Sequence, residues 1–197
     1  PQGGGTREYA LGDVSFSVPT DSWVAMTGPS GSGKSTILSL MEKFIVPTDG
    51  MILVDQIPLG QHDDDEYRRQ VGYIEQSCPL FSGTVRDNLL LGRDIDDAHC
   101  WEIIRRVGLA DTIAARKGGL DTPVGESAYA FSGGERQRLA IARTLVGQPR
   151  MLLLDEITSG LDVLNRKQVM GLIRATMGGI TTFAAGHGNF GIDIADL

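Results

Sequence analysis

Residues 28–36 constrain this chain more than any other segment, because they read Gly-Pro-Ser-Gly-Ser-Gly-Lys-Ser-Thr. They complete the pattern Gly-x-x-x-x-Gly-Lys-[Ser/Thr], whose glycines let backbone N–H groups point into one concavity that suits phosphate oxygens. A buried strand is predicted before the loop, and a helix with its positive dipole end is predicted after it. Lys34 supplies a cation for the outer phosphates, and the Ser35 hydroxyl is placed to ligate Mg²⁺. The segment therefore predicts a nucleoside triphosphate site, with the candidate binding residues Gly28, Pro29, Ser30, Gly31, Ser32, Gly33, Lys34, Ser35 and Thr36.

Composition limits what surrounds this loop. A chain of 197 residues with 41% hydrophobic content can bury one sizeable core, and no apolar run approaches the roughly 20 residues that span a bilayer. The net charge of −7 argues against a broad nucleic-acid surface, so no nucleic-acid partner is expected. Asp63–Glu66 could bind a metal, but it is more simply a helix start. Cys78 and Cys100 are predicted to be unpaired thiols. The chain starts without Met and is expected to be part of a longer protein.

The order of the predicted elements indicates an α/β fold. Between residues 79 and 147 the sequence predicts four helices and no strand. We therefore predict a mostly parallel sheet with an antiparallel β portion near the N-terminus and an inserted helical subdomain. The α/β core would comprise residues 1–78 and 148–197, and the helical subdomain residues 79–147. The predicted strands are Val14–Val18, Trp23–Thr27, Met51–Val54, Gly72–Glu75, Met151–Leu154 and Thr181–Ala185.

Two carboxylates follow the apolar run Met151–Leu154. A parallel sheet places ligand-binding groups at the carboxyl edge of its strands, which is where Asp155 and Glu156 would lie. Asp155 would hold the Mg²⁺ shell, and Glu156 would act on the attacking water as a general base. By itself the pair could also be a solvated acidic turn. With a phosphate loop upstream, the catalytic interpretation is favoured.

Ser132, Gly133 and Gly134 open a predicted helix. An ordinary helix N-cap would explain Ser132. It would not explain two successive glycines, each of which costs about 1 kcal/mol of helix stability relative to alanine. Exposed N–H groups at this helix start would suit a phosphate that approaches closely.

Here the sequence resembles a known family. The segment Ser132–Arg143 resembles the signature helix of the ATP-binding-cassette (ABC) ATPases. Gln76 matches the Q-loop glutamine of that family, Ser159–Asp162 resembles its D-loop, and His187 matches its switch histidine. Two further segments are similar to exporter-type cassettes, namely Leu80–Leu89 and Thr122–Glu126.

The resemblance implies a P-loop ATPase core that works as a head-to-tail pair with a second cassette. ATP on the loop of one copy would be closed over by the signature residues of the other. It also implies a transmembrane domain as partner, in the same or a separate chain, and a location on the cytoplasmic face of the cell membrane. The implied cofactors are ATP and Mg²⁺. The implied residues are Glu156, His187 and Gln76 for catalysis, Ser132, Gly133, Gly134 and Glu135 for the partner's nucleotide, and Ser35, Gln76 and Asp155 for the metal.

The sequence departs from the family in three places. In the family an aromatic residue some way before the phosphate loop usually stacks on adenine, and the corresponding position here is near Gly3. The nearest aromatic residue is Tyr9. Ile157 stands where proline or alanine is usual, and the residues after His187 are atypical. Two other functions stay open at this point: a non-transport ABC ATPase, of the DNA-repair or ribosome-associated kind, and a degenerate cassette that binds ATP without turnover.

Overall fold

The protein is described by a computed structural model that covers residues 10–125, 131–159, 163–176 and 178–186. Its central element is a parallel sheet of four strands, β1 (Trp23–Thr27), β4 (Val71–Glu75), β7 (Met151–Asp155) and β8 (Thr181–Gly186). Their order in the sheet is β1-β8-β7-β4. The helices are α1 (Lys34–Met41), α2 (Asp64–Gln70), α3 (Val85–Leu90), α4 (Asp97–Arg106), α5 (Ala110–Ala114), α6 (Gly133–Val146) and α7 (Val163–Thr176).

Helices cover both faces of this sheet, which explains why its central strands are continuously apolar. Side chains alternate between faces along a strand. On β7, Leu153 packs toward α1 with Leu38, whereas Leu152 and Leu154 belong to the larger cluster on the other face. That larger cluster also holds the buried apolar residues of α3, α4 and α6. The predicted α/β class with a mostly parallel sheet is confirmed.

Two short antiparallel pairs lie outside the main sheet. Strand β2 (Leu53–Val54) pairs with β3 (Ile57–Pro58), so the predicted strand Met51–Val54 is shorter than expected. The predicted strand Val14–Val18 is wrong: these residues form no strand, and nothing in the described part of the chain pairs with them. A strand is stable only when its backbone groups are paired. Here Val14 and Phe16 are instead exposed.

The helical segment is not free of strands, which corrects the prediction for residues 79–147. Strand β5 (Gly83–Thr84) pairs with β6 (Pro123–Val124), and two-residue strands are too short to show an alternating pattern. The hydrogen bond from Val85 N to Thr122 O (3.0 Å) continues this connection. One buried cluster joins these helices to the sheet, and the division into core and subdomain stays a prediction.

Three further predictions concern the acidic run at residues 63–66, the two cysteines and membrane-spanning segments. Asp63 is the N-cap of α2 and accepts a hydrogen bond from Glu66 N (2.9 Å), so the acidic run is a helix start, as predicted. Cys78 and Cys100 are buried free thiols. Within the described ranges, no helix combines the length and the apolar character needed to cross a membrane.

Candidate functional site

The phosphate-binding loop connects β1 to α1, and its last residues, from Lys34 on, form the first turn of that helix. Gly31 and Gly33 have left-handed backbones, with φ of 74° and 94°. Gly33 is the N-cap of α1, and a Cβ at this position would collide with the side chain of Leu11. The left-handed backbone therefore favours glycine here, and any larger residue would also have to displace the Leu11 side chain.

Lys34 is held inside the loop. Its Nζ donates to Gly28 O (2.9 Å) and Pro29 O (3.0 Å), and the residue is 7% exposed. A third acceptor is the Ser32 hydroxyl (3.5 Å), so among the described residues neutral groups, and no carboxylate, hold the ammonium charge. The structure thus places a poorly compensated cation where the sequence predicted that outer phosphates bind.

Asp155 lies at the carboxyl end of β7, beside the start of α1. The Ser35 hydroxyl donates to its Oδ1 (3.4 Å), and the Tyr73 hydroxyl donates to its Oδ2 (3.2 Å). Ser35 and Asp155 thus meet, as a shared metal ligand set requires. Oxygen ligands suit Mg²⁺, which usually keeps several waters and takes one or two carboxylates plus substrate phosphates. One hydroxyl and one carboxylate therefore fit a Mg²⁺ ion that would take its other ligands from water and nucleotide phosphates.

Glu156 faces the same site from the next position. Its φ is 51°, an uncommon value for a residue other than glycine, and its N–H donates to Ala185 O (2.9 Å). Hydrogen bonds to neighbouring segments thus fix a left-handed backbone, a feature that clusters at functional sites. Glu156 lines a cavity of about 280 Å³ together with the loop; the other lining residues are Ala10, Ser30, Gly31, Gly33, Lys34, Ser35 and Thr36.

Of the two remaining candidate catalytic residues, the structure describes Gln76 and not His187. Gln76 is exposed and directly follows β4, whose last residue, Glu75, pairs in register with Asp155. It therefore lies at the same sheet edge as the candidate metal ligand. His187 lies outside the described residues, as do Tyr9, Glu126 and the segment 160–162.

The start of α6 carries the signature residues. Ser132 Oγ accepts from Glu135 N (3.3 Å), and Glu135 Oε2 accepts from Ser132 N (2.7 Å), which completes a capping box. The hydrogen bond from Ser132 N lowers the pKa of Glu135. Gly133 and Gly134 are exposed, and an added Cβ at either position would touch none of the described residues. Packing within the described part of the chain therefore gives no reason for these two glycines.

None of the residues 132–135 is among those that line the cavity around the loop. The signature helix is still tied to the sheet edge, because Gln137 Nε2 donates to Ile157 O (2.9 Å). The structure thus brings the loop, Asp155 and Glu156 together, and it does not place the signature glycines in the lining of this cavity.

Sequence reasoning missed two residues near Asp155. Tyr73 contacts it directly, and burial together with the Asp155 charge raises the pKa of Tyr73. Glu42 caps the C-terminus of α1, and burial followed by the Asp155 charge raises its pKa to about 7. For Glu42, the sequence signal was an acidic residue directly after the last apolar residue of a predicted helix.

Glu42→Gln is expected to stabilise the fold at pH 8 and not at pH 4.5. The unfolded carboxyl ionises near 4.5, whereas the folded one stays protonated to about 7, so the wild type loses stability as pH rises through that window. We expect a gain of about 1–2 kcal/mol at pH 8, after allowing for solvent screening. Urea unfolding at both pH values measures it, with exposed Glu66→Gln as the control. An equal gain at both pH values would show that packing, not charge, is responsible.

The fold and the site define a class of protein. A parallel sheet, a phosphate loop at a helix N-terminus and two acidic residues at the carboxyl end of a nearby strand are the parts of a P-loop nucleotide-binding domain. Comparisons with known proteins then identify the family. The profile described as "ABC transporter" matches residues 11–159, and the chain belongs to the ABC transporter family.

Two curated relatives are similar to this chain over almost its whole length. The chain is 39% identical over 193 residues to the "ATP-dependent lipid A-core flippase" of Burkholderia orbicola (strain AU 1054), with 98% of this chain and 32% of the relative covered. It is 38% identical over 182 residues to the "Multidrug resistance ABC transporter ATP-binding and permease protein" of Lactococcus lactis subsp. lactis (strain IL1403), with 91% and 31% covered. The chain thus spans about a third of the length of these relatives.

One solved structure agrees with this placement. The "Structure of a bacterial Atm1-family ABC exporter with ATP bound" matches with a TM-score of 0.80 and 38% identity, covering 94% of this chain and 33% of that one. The chain is therefore an ABC ATPase domain homologous to those of exporters.

Proposed function

We propose that this domain binds and hydrolyses ATP to power substrate translocation by an ABC exporter. The observation that carries the proposal is the meeting of Ser35, Asp155 and Glu156 beside one cavity that Lys34 also lines. Cation, metal ligands and a candidate base are the parts that phosphoryl transfer needs.

Each part has a role in the proposed reaction. Loop N–H groups and Lys34 bind the phosphates, and Ser35, Asp155 and Gln76 would hold Mg²⁺. The metal, when bound, neutralises charge on the phosphate oxygens. Glu156 accepts the proton of the attacking water, and His187, assigned by resemblance alone, contacts the γ-phosphate. Closure of the site excludes water and orients the reacting groups.

We propose that a second cassette completes the site head to tail. Gly133 and Gly134 weaken α6, no described residue packs where their side chains would lie, and neither residue lines the cavity around the loop. A nucleotide held by another copy would use the exposed N–H groups at this helix start. Ser132, Gly133, Gly134 and Glu135 would then act on the partner's ATP.

The transmembrane partner of this domain would lie in the remaining two-thirds of the exporter. Phe81 is 52% exposed, and its backbone is fixed because Asn88 both accepts from Phe81 N and donates to Phe81 O (2.8 Å each). Arg143 of α6 bonds Asn88 O (2.8 Å) and Pro79 O (3.0 Å). This network fixes the backbone that carries an exposed aromatic ring between Gln76 and the signature helix, and the Arg143 guanidinium lies 4.9 Å from the centre of that ring. We propose that it contacts the membrane domain on the cytoplasmic face of the membrane.

The two other functions have less support. Chromosome-type ATPases separate the phosphate loop and the acidic strand by a long coiled coil, whereas one compact sheet joins them here. The similar proteins named above are exporters, which does not favour a DNA-repair or ribosome-associated role. A degenerate cassette is disfavoured because Glu156 is present and lines the cavity.

Mixing two inactive variants tests the head-to-tail site. Lys34→Ala disables the loop of its own chain, and Ser132→Arg blocks the nucleotide of the partner. Each mixed dimer has one site with both lesions and one site with neither, so ATPase activity should return on mixing. The assay needs ATP-dependent dimers, shown by sedimentation or size exclusion.

Ser132→Ala is the matched control, because it removes the same helix cap without adding bulk. It should lose less activity than Ser132→Arg, which separates lost helix stability, typically about 1 kcal/mol, from steric blocking. If Ser132→Arg weakens ATP binding by the monomer as severely as Lys34→Ala does, the role in the partner's site is rejected.

A further inference from the structure

Besides Ser35, Asp155 has a second hydroxyl partner, Tyr73, which has no role in the ATP hydrolysis proposed above. Tyr73 lies on β4, the strand beside β7, and pairs in register with Leu153, two residues before Asp155. Tyr73 and Leu153 both pack in the smaller cluster under α1, so they share one face of the sheet. From there the phenol reaches forward, and its hydroxyl donates to Asp155 Oδ2 (3.2 Å).

The two carboxylate oxygens of Asp155 are thereby distinguished. Oδ2 accepts from the Tyr73 hydroxyl, and Oδ1 faces the Ser35 hydroxyl of the phosphate loop (3.4 Å). The terminal torsion of an aspartate is broad and roughly two-fold, so a free carboxylate would turn readily. A donor on one oxygen opposes that rotation. Partners of this kind that orient a metal ligand typically change metal affinity or activity by about 10–100-fold when removed.

The Tyr73 hydroxyl is well suited to act as a lasting donor. A tyrosine hydroxyl ordinarily ionises only at about pH 10, so at physiological pH it keeps its proton and can donate to the carboxylate. Unlike a lysine or arginine in the same place, it brings no positive charge. It can therefore hold Asp155 without neutralising the carboxylate that a metal ion needs.

We propose that Tyr73 is a positioning residue that holds Asp155 with Oδ1 turned toward Ser35. In that orientation Asp155 Oδ1 and the Ser35 hydroxyl oxygen would both be available to ligate the Mg²⁺ bound with ATP. The inference rests on the proposed function, since it assumes that this site binds Mg·ATP. It assigns the strand next to the acidic strand a direct part in metal binding.

Tyr73→Phe removes the hydroxyl and keeps the ring. ATP binding to the full chain is measured by titration in Mg²⁺ and, separately, in EDTA. We expect ATP affinity in EDTA to be unchanged, and the gain in affinity that Mg²⁺ provides to fall about tenfold. The matched control is Tyr67→Phe, which removes a buried hydroxyl that donates to Met41 O (2.7 Å) and does not contact Asp155. Its Mg²⁺-dependent gain should equal that of the wild type.

A double-mutant cycle tests whether Tyr73 acts through Asp155. If it does, Asp155→Asn combined with Tyr73→Phe loses no more of the Mg²⁺-dependent gain than Asp155→Asn alone. A Tyr73→Phe chain that keeps the full gain overturns the inference, and so does one that loses ATP affinity equally with and without Mg²⁺. A wild-type chain that binds no ATP, or gains nothing from Mg²⁺, overturns the proposed function itself and the inference with it.

Discussion

Glu156→Gln should bind ATP as the wild type does and hydrolyse it about 10²–10⁴ times more slowly, the usual cost of losing a general base. Glutamine keeps the size and the hydrogen-bonding capacity of the side chain but cannot accept a proton from water. The site should otherwise be preserved, because the left-handed backbone at this position is held by the bond to Ala185 O. Steady-state ATPase assays and equilibrium nucleotide binding give the two measurements.

The same variant should accumulate as an ATP-bound dimer, since the closed pair would no longer be opened by hydrolysis. Glu102→Gln is the matched control, because it makes the same chemical change at an exposed position of α4. Near-normal turnover by Glu156→Gln would assign the base to another residue. Loss of ATP binding would instead show that Glu156 mainly shapes the cavity.

Lys34→Ala should lose tight Mg·ATP binding. Lys34 is the one cation among the described residues that line the cavity, and its ammonium is held by loop carbonyls rather than by a carboxylate. Hydrogen bonds to charged groups contribute about 1.5–3 kcal/mol, so affinity should fall at least about tenfold. Calorimetric titration with Mg·ATP measures the change.

The control for this variant is Lys117→Ala, which removes the same charge from an exposed position outside the cavity. Thermal unfolding without nucleotide should show that Lys34→Ala is folded. An affinity equal to that of the wild type would contradict the assignment of the loop as a phosphate site.

Local sequence patterns were enough to predict many of the secondary-structure elements. Glycines at forced backbone positions, an apolar run before the loop and helical periodicity after it predicted β1, the loop and α1 correctly. The same holds for β7, whose side chains are apolar because both faces are covered, and for the start of α2, where Asp63 caps the helix. These features depend on neighbours a few residues away, which the sequence displays.

Other features failed or were invisible because they depend on distant partners. Val14–Val18 has the composition of a strand, but a strand needs a neighbour, and the described chain provides none. Strands β5 and β6 form although each has two residues, because the fold brings positions 83–84 beside 123–124.

The candidate site divides in the same way. The residue types and spacing of the loop, of Asp155 with Glu156 and of the signature segment were enough to predict a nucleotide site. Only the folded chain placed Tyr73 on one oxygen of Asp155 and Ser35 on the other, and only it brought Glu42 close enough for the Asp155 charge to raise its pKa. Such effects depend on distances of a few ångströms between helices and strands far apart in sequence, and packing alone sets those distances.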